Sequence, residues 1–150
     1  MDGARPEIRR GIVDVAYHFK TPEVTEFMRR VLAQGKGDES DLYWPANFLA
    51  KECDAEGLAW LSSRVGRPQN CLRFQETVPL FGKCNYRQAV PYLIKNSIHD
   101  ACLNIDDAAV RDLQHFFPHS PRGFDTMEEM QSYFCTRAKR ENIKVDCTAE

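Results

Sequence analysis

Four residues in the second half of the chain have the types and the spacing of metal ligands. They are His99, Cys102, His115 and His119, with two, twelve and three residues between successive members. Imidazole nitrogen and thiolate sulfur are both common ligands of tetrahedral zinc, and four such groups complete one coordination shell. These residues therefore define the candidate metal site of the sequence.

This spacing resembles that of a C2H2 zinc finger in which His99 replaces the first cysteine. The likeness is confined to the four ligand positions. Asp106 and Asp112 stand where the small core of a finger expects an aromatic residue and a leucine. Pro118 interrupts the helix that should carry both late histidines. The sequence therefore favours two surface histidines near a helix end, and we expect no cofactor.

The stretch "NSIHDACLNIDD", residues 96–107, also places His99 three residues before Cys102 on a helix predicted to begin at Pro91. Side chains at this spacing share a helix face, so the imidazole could activate the thiol as a nucleophile. Such a hydrolase also needs an oxyanion site and a group that orients the base, and the sequence shows neither. We therefore expect one turn of a packed helix without catalysis, with a Cys/His hydrolase as an alternative.

The formal charge of −2 at neutral pH disfavours a phosphate backbone as the main partner. The stretch "PANFLAKECDAEGLAWLSSRVG", followed by "CLRFQETV", has the winged-helix-like order of two helices and a strand. The second helix offers Glu56, Ser62, Ser63 and Arg64, a set too poor in positive charge for a recognition helix. The basic run at 136–142 is also what a helix dipole favours at a C-terminus. A zinc-dependent or winged-helix-like nucleic-acid-binding module is therefore an alternative function.

The six cysteines are spread over the chain without a CxxC pair, at positions 53, 71, 84, 102, 135 and 147. Buried free thiols in a reducing compartment are the simplest interpretation of this pattern. The sequence also lacks an apolar run long enough for a signal peptide core or a membrane span. We therefore expect a cytoplasmic or nuclear protein without a membrane partner. If a signal peptide was removed, the chain would instead be a secreted, disulfide-bonded effector.

Hydrophobic periodicity predicts a mainly α-helical α+β fold, with about six short helices and a small two- or three-stranded antiparallel sheet. Helices are predicted to start near Thr21, Pro45, Asp54, Pro91, Asp106 and Asp125. Strands are predicted where apolar and polar residues alternate, at 11–19, 71–78 and 142–147. Because 150 residues without a linker fit one core, we expect a single domain over 1–150, with 1–10 as a flexible tail.

Met127, Met130 and Phe134 form an apolar seam on the last predicted helix. Methionine is flexible and suits either a gap in a core or an adaptable partner surface. Aromatic residues, which concentrate binding energy, also lie near the ends of predicted elements. We therefore expect a non-enzymatic protein-protein interaction domain, adaptor or regulatory, with the seam as its candidate partner-binding site. Core packing of the seam is the alternative.

Overall fold

Helices make up all the regular structure of the described residues. The computed structural model describes residues 6–64, 71–97 and 105–147. The α-helices in chain order are α1 (Pro6–Ala16), α2 (Pro22–Gln34), α3 (Glu39–Lys51), α4 (Ala55–Arg64), α5 (Cys71–Lys83), α6 (Val90–Asn96), α7 (Ile105–Phe116) and α8 (Met127–Arg140), with a 3₁₀ helix at Arg87–Ala89. No strand occurs in the three described ranges, so the predicted sheet is wrong.

The strand predicted at 71–78 is the first part of helix α5, which continues to Lys83. Thr77 and Val78 are neighbours and both are fully buried, whereas Leu72 is 67% exposed. A strand would turn neighbouring side chains to opposite faces, so this burial pattern requires a helix. Pro79 lies inside α5, where it removes one backbone donor without ending the helix.

The strand predicted at 11–19 is also helical over most of its length. Val13 is 3% exposed and Val15 is 64% exposed, although alternate residues of a strand would share a face. A helix separates these two positions by about 200°. Helix α1 begins at Pro6, so residues 6–10 form its first turns, and the flexible tail over 1–10 stays a prediction.

Helices α2 and α8 lie where the sequence predicts them. The Thr21 hydroxyl caps α2 by accepting a hydrogen bond from the Val24 N–H at 3.3 Å, and Gly35 ends that helix with a φ of 59°. The cap of α8 is Thr126 and not the predicted Asp125, because the Thr126 hydroxyl accepts from the Glu129 N–H at 3.1 Å. The Glu129 carboxylate accepts a hydrogen bond from the Asp125 N–H at 3.0 Å, so the helix starts one residue after the predicted cap.

Helices α3 and α4 correct one predicted start and confirm another. Helix α3 begins at Glu39 behind an Asp38–Asp41 capping box, so Pro45 lies in its interior and does not open it. Asp54 does cap α4, since its Oδ1 accepts hydrogen bonds from the backbone N–H groups of Glu56 at 2.9 Å and Gly57 at 3.3 Å.

The helices form two compact units, Met1–Arg64 and Val65–Glu150. The core of unit 1 is made of side chains from its four helices, among them Val13, Met28, Val31, Tyr43, Leu49, Leu58 and Leu61. The core of unit 2 likewise includes Val78, Phe81, Leu93, Ile94, Leu113, Phe117 and Phe134. The single domain stays a prediction. None of the described helices is long and apolar enough to cross a membrane.

Candidate functional site

The predicted metal ligands lie only partly within the described chain. His99 and Cys102, and with them the predicted Cys/His pair, fall outside it. His115 is exposed in the last turn of α7, where its ring meets the Phe116 ring edge-on at 5.4 Å between centroids. His119 is also exposed and has a φ of 73°. The described residues contain no group of three metal-ligating side chains, and the zinc and hydrolase hypotheses stay untested.

The winged-helix interpretation loses the element that suggested it. Its two helices exist as α3 and α4, but the segment expected to form the following strand is helix α5. A wing is a β-structure, and the described residues of this part of the chain form none. The helix order alone therefore no longer favours a nucleic acid as partner.

The predicted partner-binding seam is largely buried within unit 2. Phe134 is fully buried, Met130 is 5% exposed and Met127 is half-buried. The Phe134 ring packs on the rings of Phe117 and Phe124, at 6.0 and 5.6 Å between centroids. Such aromatic contacts stabilise a core beyond the area they bury. The burial fits the core alternative, and binding of a partner by these three residues stays a prediction.

The prediction of free thiols is wrong for the cysteines that the structure describes. Cys135 and Cys147 form a disulfide with their Cα atoms 6.0 Å apart, which is within the usual range. Cys53 and Cys84 are also disulfide-bonded, and no described cysteine is free. Pairing depends on which thiols meet in space, and the spacing of cysteines along a chain does not reveal that.

Helix α8 ends in a Schellman motif that reverses the chain. Asn142 has a left-handed φ of 59°, which asparagine tolerates better than most residues. Its N–H donates to the Lys139 carbonyl at 3.1 Å, and the Ile143 N–H donates to the Ala138 carbonyl at 2.9 Å. The segment 142–147, here called the strap, therefore leaves the helix in a fixed direction and returns to it at the Cys135–Cys147 disulfide.

The strap has the burial pattern of an extended chain. Ile143, Val145 and Cys147 are half-buried, whereas Lys144 and Asp146 are exposed. A period of two is that of extended backbone, which explains why the sequence resembles a strand here. Within the described part of the chain, neither Lys144 nor Val145 makes a backbone hydrogen bond. The strap thus has the burial pattern of an extended segment, and among the described residues the backbone groups of Lys144 and Val145 have no hydrogen-bond partner.

An open cavity of about 620 Å³ lies beside the strap. Its lining consists of Lys139 from the last turn of α8 and the consecutive strap residues 142–146. This volume is within the range of about 300–1,000 Å³ typical of ligand sites. A single extended segment fixed at both ends therefore supplies most of the wall, with both its side chains and its backbone.

At this end of α8, the glutamate forms ion pairs, whereas two lysines form none within the described residues. Glu141 is held by Arg87, and its other carboxylate oxygen lies 3.7 Å from the Arg137 guanidinium. Lys139 and Lys144 are exposed, and neither makes an ion pair within the described residues. The cavity therefore has two cationic groups in its lining, while the nearby glutamate is already neutralised.

Arg87 fixes the position of the helix end that carries the cavity. Its Nη1 donates to the Phe116 carbonyl at 3.0 Å, and its guanidinium lies over the Phe117 ring at 5.2 Å from the centroid. The same guanidinium binds Glu141, the C-cap residue of α8. The 3₁₀ helix, α7 and α8 are thereby joined at one side chain, so the strap starts from a supported residue.

A buried carboxylate forms a second polar feature of unit 2. Asp112 on α7 is 9% exposed and accepts a hydrogen bond from the Gly82 N–H of α5 at 3.0 Å. Burial raises the pKa of Asp112 to about 6, although the Gly82 hydrogen bond and the charges of His115 and Arg111 oppose the rise. This hydrogen bond joins α5 and α7, so the carboxylate serves the contact between these two helices.

Helix α1 carries an apolar surface of a different kind. Ile8 and Phe19 are 56% and 57% exposed, and the exposed Val15 lies on the same face of the helix as Ile8. A helix pairs its own backbone groups, so this surface offers few directional contacts to a partner. The strap combines apolar, charged and unpaired backbone groups in one place, and it is therefore the better candidate site.

Sequence reasoning missed the strap site, although two signals for it were present. Asn142 follows a long helix, which marks a left-handed helix end, and the alternation after it marks an extended segment. The disulfide that closes the strap could not be assigned from the sequence. No family model, curated protein or solved structure matches the chain.

Proposed function

We propose that this chain is a non-enzymatic protein-protein interaction module whose binding site is the cavity beside the strap. The observation that carries the proposal is the pairing of an open cavity of about 620 Å³ with an extended, hydrogen-bond-competent wall. Extended segments of this kind are a recurring means of peptide recognition, because main-chain hydrogen bonds supply affinity and flanking side chains supply specificity. The supported end of α8 keeps the wall in place before a partner arrives.

We further propose that the module works in an oxidising compartment, as expected for a secreted effector. Disulfides persist in secreted and extracytoplasmic proteins and are rare where thiols are kept reduced. The Cys135–Cys147 bond closes the strap against its own helix, so the binding site depends directly on oxidation. In a reducing compartment the strap would keep its Schellman turn and lose its second attachment.

Selection of peptides from a random displayed library tests the proposed function. The wild-type protein should enrich a peptide family that binds it and does not bind the double variant Cys135→Ser/Cys147→Ser, in which the strap is released. The matched control is Ile8→Ser/Val15→Ser, which changes the exposed face of α1 and should keep binding. Failure to enrich any family would overturn the proposal. Loss of binding in the α1 variant alone would move the site to that helix.

A further inference from the structure

We infer that the strap cavity takes an acidic peptide segment in extended conformation, which lies alongside residues 143–146 as an added strand. This inference rests on the proposed interaction function and names the chemistry of the partner. It follows from two independent properties of the site, the unpaired backbone of the strap and the sign of the charge around the cavity.

The backbone of the strap argues for an extended partner. Lys144 and Val145 are consecutive residues whose N–H and C=O groups make no hydrogen bond in the described part of the chain. In extended backbone, the polar groups of successive residues point to opposite sides, so Lys144 and Val145 together present donors and acceptors on both edges of the strap. A partner that covers these main-chain groups must pair with them, and a peptide strand supplies a carbonyl and an N–H at the matching spacing.

The dimensions of the strap limit the length of the docked segment. Four residues of extended chain, 143–146, run for roughly 13 Å. A partner strand would therefore pair with the strap over about four residues. The segment beyond that length would leave the cavity at either end.

The charges argue for an acidic partner. Lys139 and Lys144 both line the cavity and have no ion-pair partner in the described ranges. The lysine in the last turn of α8 is favoured there by the helix dipole, but Lys144 lies beyond the helix and has no such explanation. Asp146, the carboxylate in the lining, already makes an interaction of its own. Carboxylates of a partner would therefore face two lysines that lack a counter-charge.

A nucleic acid would contact the same two lysines but would not pair with the main chain of the strap. Binding to a phosphate backbone increases with the number of phosphates that are neutralised, whereas the chain has a net charge of −2 and the cavity has two lysines. Nucleic acids also have no strand-like array of alternating donors and acceptors to pair with residues 143–146. The extended acidic peptide is therefore the occupant that uses both properties of the site.

The test measures fluorescence anisotropy with a labelled peptide of alternating glutamate and valine, about six residues long. Three comparison probes separate the contributions: a lysine-valine peptide, the glutamate-valine peptide with every backbone nitrogen methylated, and a single-stranded oligothymidylate. The protein is used as the full oxidised chain. The glutamate-valine peptide should bind, and its affinity should fall as salt rises from about 50 to 200 mM because the contacts are partly ionic.

The variant Lys139→Glu/Lys144→Glu should weaken binding of the acidic peptide at least about tenfold. Its control is Lys95→Glu/Arg122→Glu, which changes the net charge equally at exposed positions away from the cavity and should alter the affinity less than about twofold. N-methylation of the peptide should also weaken binding about tenfold, because it removes the donors of the added strand. The amides of Lys144 and Val145 should gain protection from hydrogen exchange when the peptide is bound.

Four results would overturn the inference. Equal binding of the acidic and the basic peptide would remove the charge argument, and full binding of the N-methylated peptide would remove the strand argument. Tighter binding of the oligothymidylate, or no binding of any probe, would remove the acidic peptide as occupant. If the displayed library nevertheless yields strap-dependent peptides of another chemistry, the proposed function stands and this inference alone fails.

Discussion

Each unit of the molecule contains a glycine at which two helices approach closely, and the two glycines meet different surroundings. A Cβ atom on Gly57 of α4 would lie 2.6 Å from the Ala46 carbonyl oxygen and 2.7 Å from the Ala50 nitrogen of α3. A Cβ atom on Gly82 of α5 would meet the carboxylate of Asp112, with the Cγ at 2.9 Å. Unit 1 therefore packs backbone on backbone, whereas unit 2 packs backbone on a buried acid.

This difference determines which of the two glycine contacts can adjust to an added methyl group. The backbone of α3 is fixed by its own hydrogen bonds and cannot retreat from an added methyl group. The Asp112 side chain can rotate, but it then loses the hydrogen bond from the Gly82 N–H in a buried place. In unit 1, an added methyl group should therefore lower the unfolding free energy directly, because neither helix can move away. In unit 2, the unfolding free energy should depend on the Gly82–Asp112 hydrogen bond and on the protonation of Asp112.

The largest effect is expected for Gly57→Ala, at about 3 kcal/mol of lost unfolding free energy, because an overpacked contact has no flexible partner. Urea unfolding monitored by fluorescence of Trp44 and Trp60 measures it, since both tryptophans of the chain lie in unit 1. The control is Gly11→Ala in α1, where an added Cβ meets no atom within 4 Å. That change should stabilise the helix by roughly 0.5–1 kcal/mol. Equal stability of the two variants would contradict a close α3–α4 contact.

Removal of the strap disulfide should have the next largest effect. The bond closes a loop with a sequence separation of 12 residues, and loops of this length are typically worth about 2–3 kcal/mol. Cys135→Ser/Cys147→Ser should lower the unfolding temperature of unit 2, as monitored by far-UV circular dichroism, and leave the tryptophan signal of unit 1 unchanged. A coincident shift of both signals would show that the two units unfold together and would support the predicted single domain.

Gly82→Ala should cost about 1–2 kcal/mol, less than the change at Gly57, because the Asp112 side chain can move away from the new methyl group. A double-mutant cycle measures the coupling. If the methyl group acts through Asp112, the loss in Gly82→Ala should be smaller in an Asp112→Ala background. Additive losses would show that the strain lies elsewhere in α5.

The smallest effect concerns pH. Because the folded pKa of Asp112, about 6, is above its ordinary value, the native state holds this proton more tightly than the unfolded state. This contribution to stability is therefore present at low pH and is lost as pH rises through about 6. Asp112→Asn cannot ionise, so it should lack this pH dependence and be more stable than the wild type at neutral pH by a few kcal/mol at most, since one pKa unit is worth about 1.4 kcal/mol. The exposed Asp125→Asn serves as the control. If the unfolding free energies of the wild type and Asp112→Asn differ by the same amount at about pH 4.5 and about pH 7.5, the buried Asp112 does not ionise between these pH values and the explanation is contradicted.

The sequence predicted helices where local caps define them and failed where tertiary context decides. Thr21 with Gly35 delimited α2 correctly, because each satisfies backbone groups by itself. The strand predicted at 71–78 ends just before Pro79, but α5 continues through that proline, since a helix can absorb one proline when its apolar face is well buried. The α3 and α8 ends were less visible because Cys53 and Asn142, instead of glycine, take the left-handed position.

In the candidate site, too, the local conformation could be predicted from the sequence, whereas the features that depend on tertiary contacts could not. The strap was predicted as a strand because its residues alternate, and its extended conformation follows from that alternation. Its role as a cavity wall depends on the disulfide to Cys135 and on Arg87 holding Glu141, which join residues far apart in sequence. Such contacts have no local pattern, so the sequence directed attention to the Met127–Phe134 seam instead.

The most direct test of the account is an isotope-filtered nuclear Overhauser experiment on the labelled protein with the unlabelled glutamate-valine peptide. The account predicts contacts between the α-protons of the peptide and the amide protons of the strap, at Lys144 or Val145, with the disulfide intact. Contacts confined to Ile8, Val15 and Phe19 of the α1 region would place the partner on the other apolar surface and would contradict a binding site at the strap.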